Sequence, residues 1–194
     1  MTCAKQFKSR FSKAKTLRSN WESNLKETYN LFLPEREVFT GSVTKGNNRS
    51  TKIFDDTGAQ ALQQFTNQLK NRLLPSQQKF SKLVPSGKVK VEIIQGSFAP
   101  DAEKDLQVEL DKNNDIMFNY IWDSNFDTAA LESLQDMAIS TGAFMIQETG
   151  DLTNPFNCVS VPADELVIEE APTGKITNVW REWSVKAEEI PVLY

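Results

Sequence analysis

Two adjacent carboxylates, Asp55 and Asp56, are the best candidates for chemistry in this 194-residue chain. Such a pair could hold a divalent metal for a hydrolase or nuclease, or transfer protons. The chain contains no histidine, which excludes Ser-His-Asp and Cys-His nucleophilic sites and most zinc sites. Because Asp55, Asp56 and Thr57 directly precede a helical pattern, helix capping explains the pair more simply. We therefore predict no enzyme, no catalytic residue, no bound metal and no cofactor.

Two other segments resemble ligand-binding motifs but lack the residues those motifs need. Residues 41–48 have the glycine spacing of a phosphate-binding loop, but asparagines stand where lysine and serine or threonine are required. Residues 111–122 begin like a calcium loop, but Ile116 replaces its turn glycine and Trp122 its bidentate glutamate. We predict neither a nucleotide site nor a calcium site in these segments.

The charges are distributed unevenly along the chain. Residues 1–52 hold 11 basic and 4 acidic residues, and the remainder holds 11 basic and 22 acidic residues. A basic arm on an acidic body predicts contact with a polyanion or with the acidic face of a neighbouring copy. The candidate contact residues, for DNA without sequence preference or for a protein partner, are Lys8, Lys13, Lys15, Lys45, Arg49 and Lys52.

Apolar residues at steps of three and four predict four amphipathic helices, over about residues 4–30, 57–74, 101–123 and 125–140. We expect their apolar stripes to pack on a core or on a partner helix. The stripe of the first helix consists of Phe7, Phe11, Ala14, Leu17, Trp21, Leu25 and Tyr29. That of the second consists of Ala61, Leu62, Phe65, Leu69 and Leu73, and that of the fourth includes Ala130, Leu134, Met137 and Ala138.

Two glycine and asparagine signals mark the ends of these helices. The pair Asn113-Asn114 could bend or interrupt the third helix. Gly142 is expected to close the fourth helix, because a helix end commonly needs a residue that tolerates positive φ.

The last quarter of the sequence is typical of β-structure. Strands are predicted at 143–148 and 156–161, and a hairpin at 165–170 and 175–185 around the turn 171–174. Neither face of the hairpin is clearly polar, so we expect cover on both sides. Short strand-like runs also occur at 51–54 and 88–95.

We predict an α+β fold with an antiparallel β-ribbon region. Residues 1–142 form a mainly helical region with a basic N-terminal helix, residues 143–185 the ribbon, and 186–194 the start of a following element. Because that tail ends on apolar residues without a stop signal, we expect a fragment of a longer polypeptide. No apolar run approaches the ~20 residues that span a bilayer, so we expect no membrane contact. Synthesis in the cytoplasm is expected, with Cys3 and Cys158 as ordinary thiols.

The order of several short motifs resembles the head-to-tail connector (portal) proteins of short-tailed, T7-like bacteriophages. The resemblance runs from about residue 21 to residue 194. The positions that carry it are Trp21, Tyr29, Pro34, Arg36, Asp55, Asp56, Gly58, Pro75, Phe80, Asn125, Phe126 and Gly142. Phe80 stands where the family usually has tryptophan, and Ser140 where a glycine often precedes Thr-Gly.

The resemblance implies a structural subunit of a portal ring, typically of twelve copies, at one vertex of the phage head. DNA would enter during packaging and leave during ejection through this ring. The implied partners are terminase, scaffold or capsid proteins, tail proteins and duplex DNA without sequence preference, and the implied location is the virion. The chain corresponds to the wing region of such a subunit.

One alternative comes from another class of protein. The basic N-terminal helix could belong to a stand-alone DNA-binding or adaptor domain that grips phosphate groups.

Overall fold

The computed structural model describes residues 3–34, 36, 55–87, 102–151, 153–185 and 187. Within them the fold is α+β, as predicted. The helices are α1 (Cys3–Phe32), α2 (Thr57–Leu73), α3 (Ala102–Asp123) and α4 (Phe126–Ile139). The strands are β1 (Ala143–Glu148), β2 (Phe156–Val161), β3 (Leu166–Glu170) and β4 (Ile176–Arg181). The predicted strands at 51–54 and 88–95 lie outside the described residues, as does most of 186–194.

The strands form two small antiparallel sheets, β1 with β2 and β3 with β4. In the second sheet, Val167 lies opposite Trp180. The turn between β3 and β4 places Gly174 at a φ of 77°, and the Gly174 N–H donates to the Ala171 carbonyl at 2.9 Å. The hairpin is confirmed, but β4 ends at Arg181 and is shorter than the predicted run to residue 185.

The chain divides into two compact units. The first contains residues 1–66, 132–144 and 160–194, and the second contains 67–131 and 145–159. The predicted division into regions at residues 142/143 and 185/186 was based on changes in the sequence pattern. It stays a prediction.

In the first unit, α1 packs across one face of the β3–β4 hairpin. Ala14, Val167 and Trp180 form a buried cluster, and Phe11 packs against it. The Phe7 and Phe11 rings meet the Trp180 ring edge-on, with centroids 6.2 and 6.1 Å apart. These aromatic contacts bury the apolar centre of the hairpin face that carries Val167 and Trp180.

Polar contacts also join α1 to the hairpin. Arg10 pairs with Glu169 at 2.7 Å, and Lys15 pairs with Glu182 at 2.6 Å. The Arg18 guanidinium donates to the Asp164 and Leu166 carbonyls at 2.8 Å. Three cations of the basic helix are therefore engaged inside their own unit.

The second unit is built around Phe118 of α3, which is fully buried. The Phe80 ring meets it edge-on at 5.0 Å, and the Trp122 ring lies 5.7 Å away. Phe80 also stacks on Phe126 at 6.0 Å. Helix α3 runs without a break through Asn113-Asn114, because Asn114 faces inward and is only 4% exposed.

Several predicted core positions are exposed instead. Of the α1 stripe only Ala14 and Tyr29 are buried, whereas Leu17 and Trp21 are 69% and 67% exposed. On the hairpin, Val179 faces away from α1 and is also exposed, so this chain by itself covers only one face of the hairpin. The other exposed members of the predicted stripes are Phe7, Ala61, Phe65, Leu73, Met137 and Ala138. Periodicity identifies an apolar face but not whether the same chain covers it.

Gly142 follows α4 for a reason other than the predicted one. Positive φ angles occur at Gly150 and Gly174 but not at Gly142. A Cβ atom on Gly142 would lie well inside van der Waals contact of the Ser133 carbonyl oxygen and 2.9 Å from the Met137 Cβ. Close backbone packing, not left-handed geometry, therefore requires glycine here.

This packing predicts the effect of a single methyl group. Gly142→Ala should lower the free energy of unfolding by about 1–3 kcal/mol, because the backbone oxygen of Ser133 cannot move aside without disturbing α4. Gly87→Ala is the matched control, since nothing lies within 4 Å of its Cβ position. Urea denaturation of both variants measures the difference, and equal stabilities would contradict the packing argument.

A pH dependence follows from the contact of α1 with the hairpin. Hydrogen bonds from Arg10 and Asn178 hold the pKa of Glu169 below its ordinary value of 4.5. A depressed folded-state pKa contributes stability above pH 4.5, and this stability is lost as the pH falls through the lower folded-state pKa. The melting temperature of Glu169→Gln should therefore depend less on pH in that window than that of the unaltered chain. Glu170→Gln, at the exposed neighbouring position, should retain the full pH dependence.

Candidate functional site

Of the two carboxylates selected from the sequence, Asp55 caps the start of α2, and Asp56 binds a side chain in the first turn of the helix. Asp55 Oδ1 accepts hydrogen bonds from the Thr57 backbone N–H at 2.9 Å and from the Thr57 hydroxyl at 2.6 Å. Asp56 Oδ2 accepts from the Gln60 side-chain amide at 2.6 Å. The bonds from Thr57 lower the pKa of Asp55. The described residues include no group of three or more acidic or cysteine side chains placed to hold a metal ion.

Tyr29 and Arg36, two residues that carry the family resemblance, meet at a buried carboxylate far from them in the sequence. The sequence analysis did not single out this carboxylate. Asp136 of α4 is fully buried, and the Arg36 guanidinium lies 2.8 Å from its Oδ2. The Tyr29 hydroxyl donates to Asp136 Oδ1 at 3.1 Å and lies 3.0 Å from the Ser140 hydroxyl. We call Tyr29, Arg36, Asp136 and Ser140 the Asp136 cluster.

Burial controls the ionisation of this cluster. It raises the pKa of Asp136, and the Arg36 charge and the Tyr29 hydrogen bond oppose part of that rise. Burial also raises the pKa of Tyr29 far above its ordinary range, so the phenol keeps its proton and serves as a donor. A buried ion pair with hydrogen-bond support fixes the positions of its elements. The cluster joins the end of α1, the segment at Arg36 and the end of α4.

The sequence analysis did not select Asp136, because carboxylate side chains on helices are usually exposed. It lies two residues after Leu134 in a helix of mostly apolar and small residues. That position was the only signal, and it did not indicate which cation would approach.

Most of the other motif residues, but not Trp21, lie at points of close packing. In the first unit, the Cβ position of Gly58 is 3.4 Å from the Leu31 carbonyl oxygen. Pro34 follows the end of α1 and is half-buried, whereas Trp21 is largely exposed.

In the second unit, the motif residues are structural as well. Pro75 follows α2, and Phe80 and Phe126 belong to the aromatic cluster. The Asn125 side chain donates to the Cys158 carbonyl at 2.7 Å and accepts from the Cys158 N–H at 2.8 Å. Asn125 thus imitates a neighbouring strand for β2.

Of the predicted basic contact residues, the three that the structure describes lie on α1. Lys8 and Lys13 are exposed on α1, whereas Lys15 is paired with Glu182. Lys45, Arg49 and Lys52 lie outside the described residues. None of the described helices combines the length and apolar character needed to cross a membrane.

Removal of one partner of the buried ion pair should be costly. Asp136→Asn leaves Arg36 without its nearest counter-charge, and we expect a loss of about 3 kcal/mol in unfolding free energy. Glu132→Gln is the control, because Glu132 is 48% exposed and its carboxylate lies 3.7 Å from Arg36. The control should lose less than about 1 kcal/mol. Similar losses in both variants by urea denaturation would show that the buried pair does not organise this region.

A comparison with protein families identifies the chain. A search of curated proteins finds no significant match. A model of the family described as bacteriophage head to tail connecting protein matches residues 4–192. That range includes all four helices, both sheets and every motif residue discussed above. The chain therefore belongs to the family of bacteriophage head to tail connecting proteins.

Proposed function

We propose that this chain is a subunit of a homo-oligomeric ring at the portal vertex of a short-tailed, T7-like phage. The ring, typically of twelve copies, is the channel through which the genome is packaged and later ejected. It docks terminase, scaffold or capsid proteins and tail proteins. The single observation that carries this proposal is the family match over residues 4–192.

The surface of the chain supports an assembled state. Large apolar side chains are exposed on α1, α2, α3 and β4, among them Trp21 at 67%, Phe65 at 54% and Val179 at 57%. Soluble monomers rarely expose extended apolar surface unless a partner covers it. Head-to-tail contacts between identical subunits close into a ring when the rotation between neighbours permits it.

The chemistry of the described residues supports a structural role rather than a catalytic one. The most suggestive carboxylates, Asp55 and Asp56, hold a helix start, and the buried Asp136 is neutralised by Arg36. In this proposal the subunit has a structural role. It holds a channel open and presents fixed surfaces to other virion proteins.

The alternative of a stand-alone DNA-binding domain draws on the same basic helix. Its cations Arg10, Lys15 and Arg18 are, however, bound to carboxylates or carbonyls of the first unit. A helix whose cations are already engaged has fewer charges to offer phosphate groups. This observation favours the ring.

Electron microscopy of the full chain tests the ring directly. We expect closed rings with a central opening, and light scattering should give a mass that is a fixed multiple of the monomer mass. A protein that stays monomeric at micromolar concentrations would overturn the proposal.

A salt titration tests the proposed contact with DNA. Packaging must ignore sequence, so binding to unrelated duplexes should be equally weak and should fall linearly on a logarithmic plot against salt concentration. Tight binding by the monomer, or a preference for one duplex, would favour the stand-alone domain instead. Lys8→Ala should reduce the slope by about one, because it removes one phosphate contact.

A further inference from the structure

Helix α1 carries two apolar surfaces, and only one of them is covered. One surface carries Phe11, Ala14 and Tyr29 and packs against the rest of the first unit. The other carries Leu17, Trp21 and Leu31, which are 69%, 67% and 61% exposed. Lys13, Leu17 and Trp21 are spaced at intervals of four residues, so all three lie on one face of the helix. We call Lys13, Leu17 and Trp21 the α1 seam. All three line a groove of 670 Å³, whose other walls include Leu25, Leu166 and Glu169.

Helix α3 carries a second uncovered surface, of opposite charge. Its inward face holds the buried Asn114 and Phe118. The opposite face consists of Asp105, Glu109, Ile116, Tyr120 and Asp123, separated by steps of three, four and seven residues. Ile116 is 53% exposed and Tyr120 is 37% exposed. We call Ile116, Tyr120 and Asp123 the α3 seam.

The two helices have complementary charge. Helix α1 contains seven basic and two acidic residues, and α3 contains six acidic and two basic residues. Their net charges are therefore +5 and −4. Lys13 borders the apolar side chains of the α1 seam. Asp123 and Glu109 border those of the α3 face, where Glu109 also pairs with Lys112 at 3.6 Å. This pattern suits a contact with an apolar centre and a charged rim.

We propose that the α1 seam of one copy packs antiparallel against the α3 seam of the next copy. The proposal rests on the ring proposed above and identifies the surfaces that form it. In the antiparallel register Lys13 approaches Asp123, Leu17 approaches Tyr120, and Trp21 approaches Ile116. The lengths agree, because eight residues on α1 rise about 12 Å and seven on α3 about 10.5 Å.

The charges select this direction over the parallel one. A parallel arrangement that kept Leu17 on Ile116 and Trp21 on Tyr120 would place Lys13 beside Lys112, which repels it. The contact joins two different surfaces of the same chain. Each copy therefore offers one seam to each neighbour, as a closed ring requires.

Charge reversal tests the ionic contact. Lys13→Glu and Asp123→Lys should each raise the concentration at which rings dissociate by about tenfold, because each places like charges together. The double variant, with both changes, should return to within about twofold of the unaltered chain. Lys26→Glu is the matched control, since Lys26 carries the same charge on the opposite, exposed face of α1 and should have no effect. Rings of unchanged affinity in both single variants would overturn the inference and leave the proposed ring intact.

Disulfide trapping tests the apolar contact without relying on stability. Leu17→Cys and Tyr120→Cys are made in separate chains whose Cys3 and Cys158 are alanine. Oxidation should give covalent dimers in a mixture of the two variants and not in either variant alone. Rings that form in the mixture without such dimers would contradict the seam contact. An unaltered chain that forms no rings would instead overturn the proposed function itself.

Discussion

The ion pair between Arg36 and Asp136 is the constraint on which the first unit depends. Complete burial of the Asp136 carboxylate costs several kcal/mol of folding free energy, unless a cation and hydrogen bonds compensate for the lost hydration. Arg36 and Tyr29 compensate Asp136 only when the end of α1 and the end of α4 lie together, although about 100 residues separate them in sequence. Gly142 permits the chain to leave α4 close against Ser133. The pair therefore fixes where the β-rich part of the unit begins.

The residues that carry the family resemblance serve packing rather than reaction chemistry. Asn125 satisfies both backbone groups of Cys158, Gly58 allows a close approach to α1, and Phe80 joins Phe118 to Phe126. This agrees with the role of a head-tail connector, a virion component that assembles with other phage head and tail proteins. Such a component needs a defined shape more than a reactive group.

Helix α1 illustrates how one element contributes to more than one surface. Arg10, Lys15 and Arg18 fasten it to the hairpin, and Phe7 and Phe11 pack against Trp180. The remaining face displays Leu17 and Trp21 to solvent. A helix anchored firmly on one side presents its free side in a fixed orientation, which lowers the entropic cost of association.

The sequence alone determined the helices, the β3–β4 hairpin and the cap at Asp55, because periodicity, turn residues and capping are local properties. It also determined the family, since the motifs are ordered along the chain. Only the tertiary structure decided that Asp136 is buried, that Leu17 and Trp21 are exposed, and that Gly142 is needed for close packing. The first two depend on which distant segment approaches a residue, and the third depends on how closely the chain passes the end of α4. Helical periodicity records an apolar face, but the neighbour that covers it belongs to another part of the chain or to another molecule.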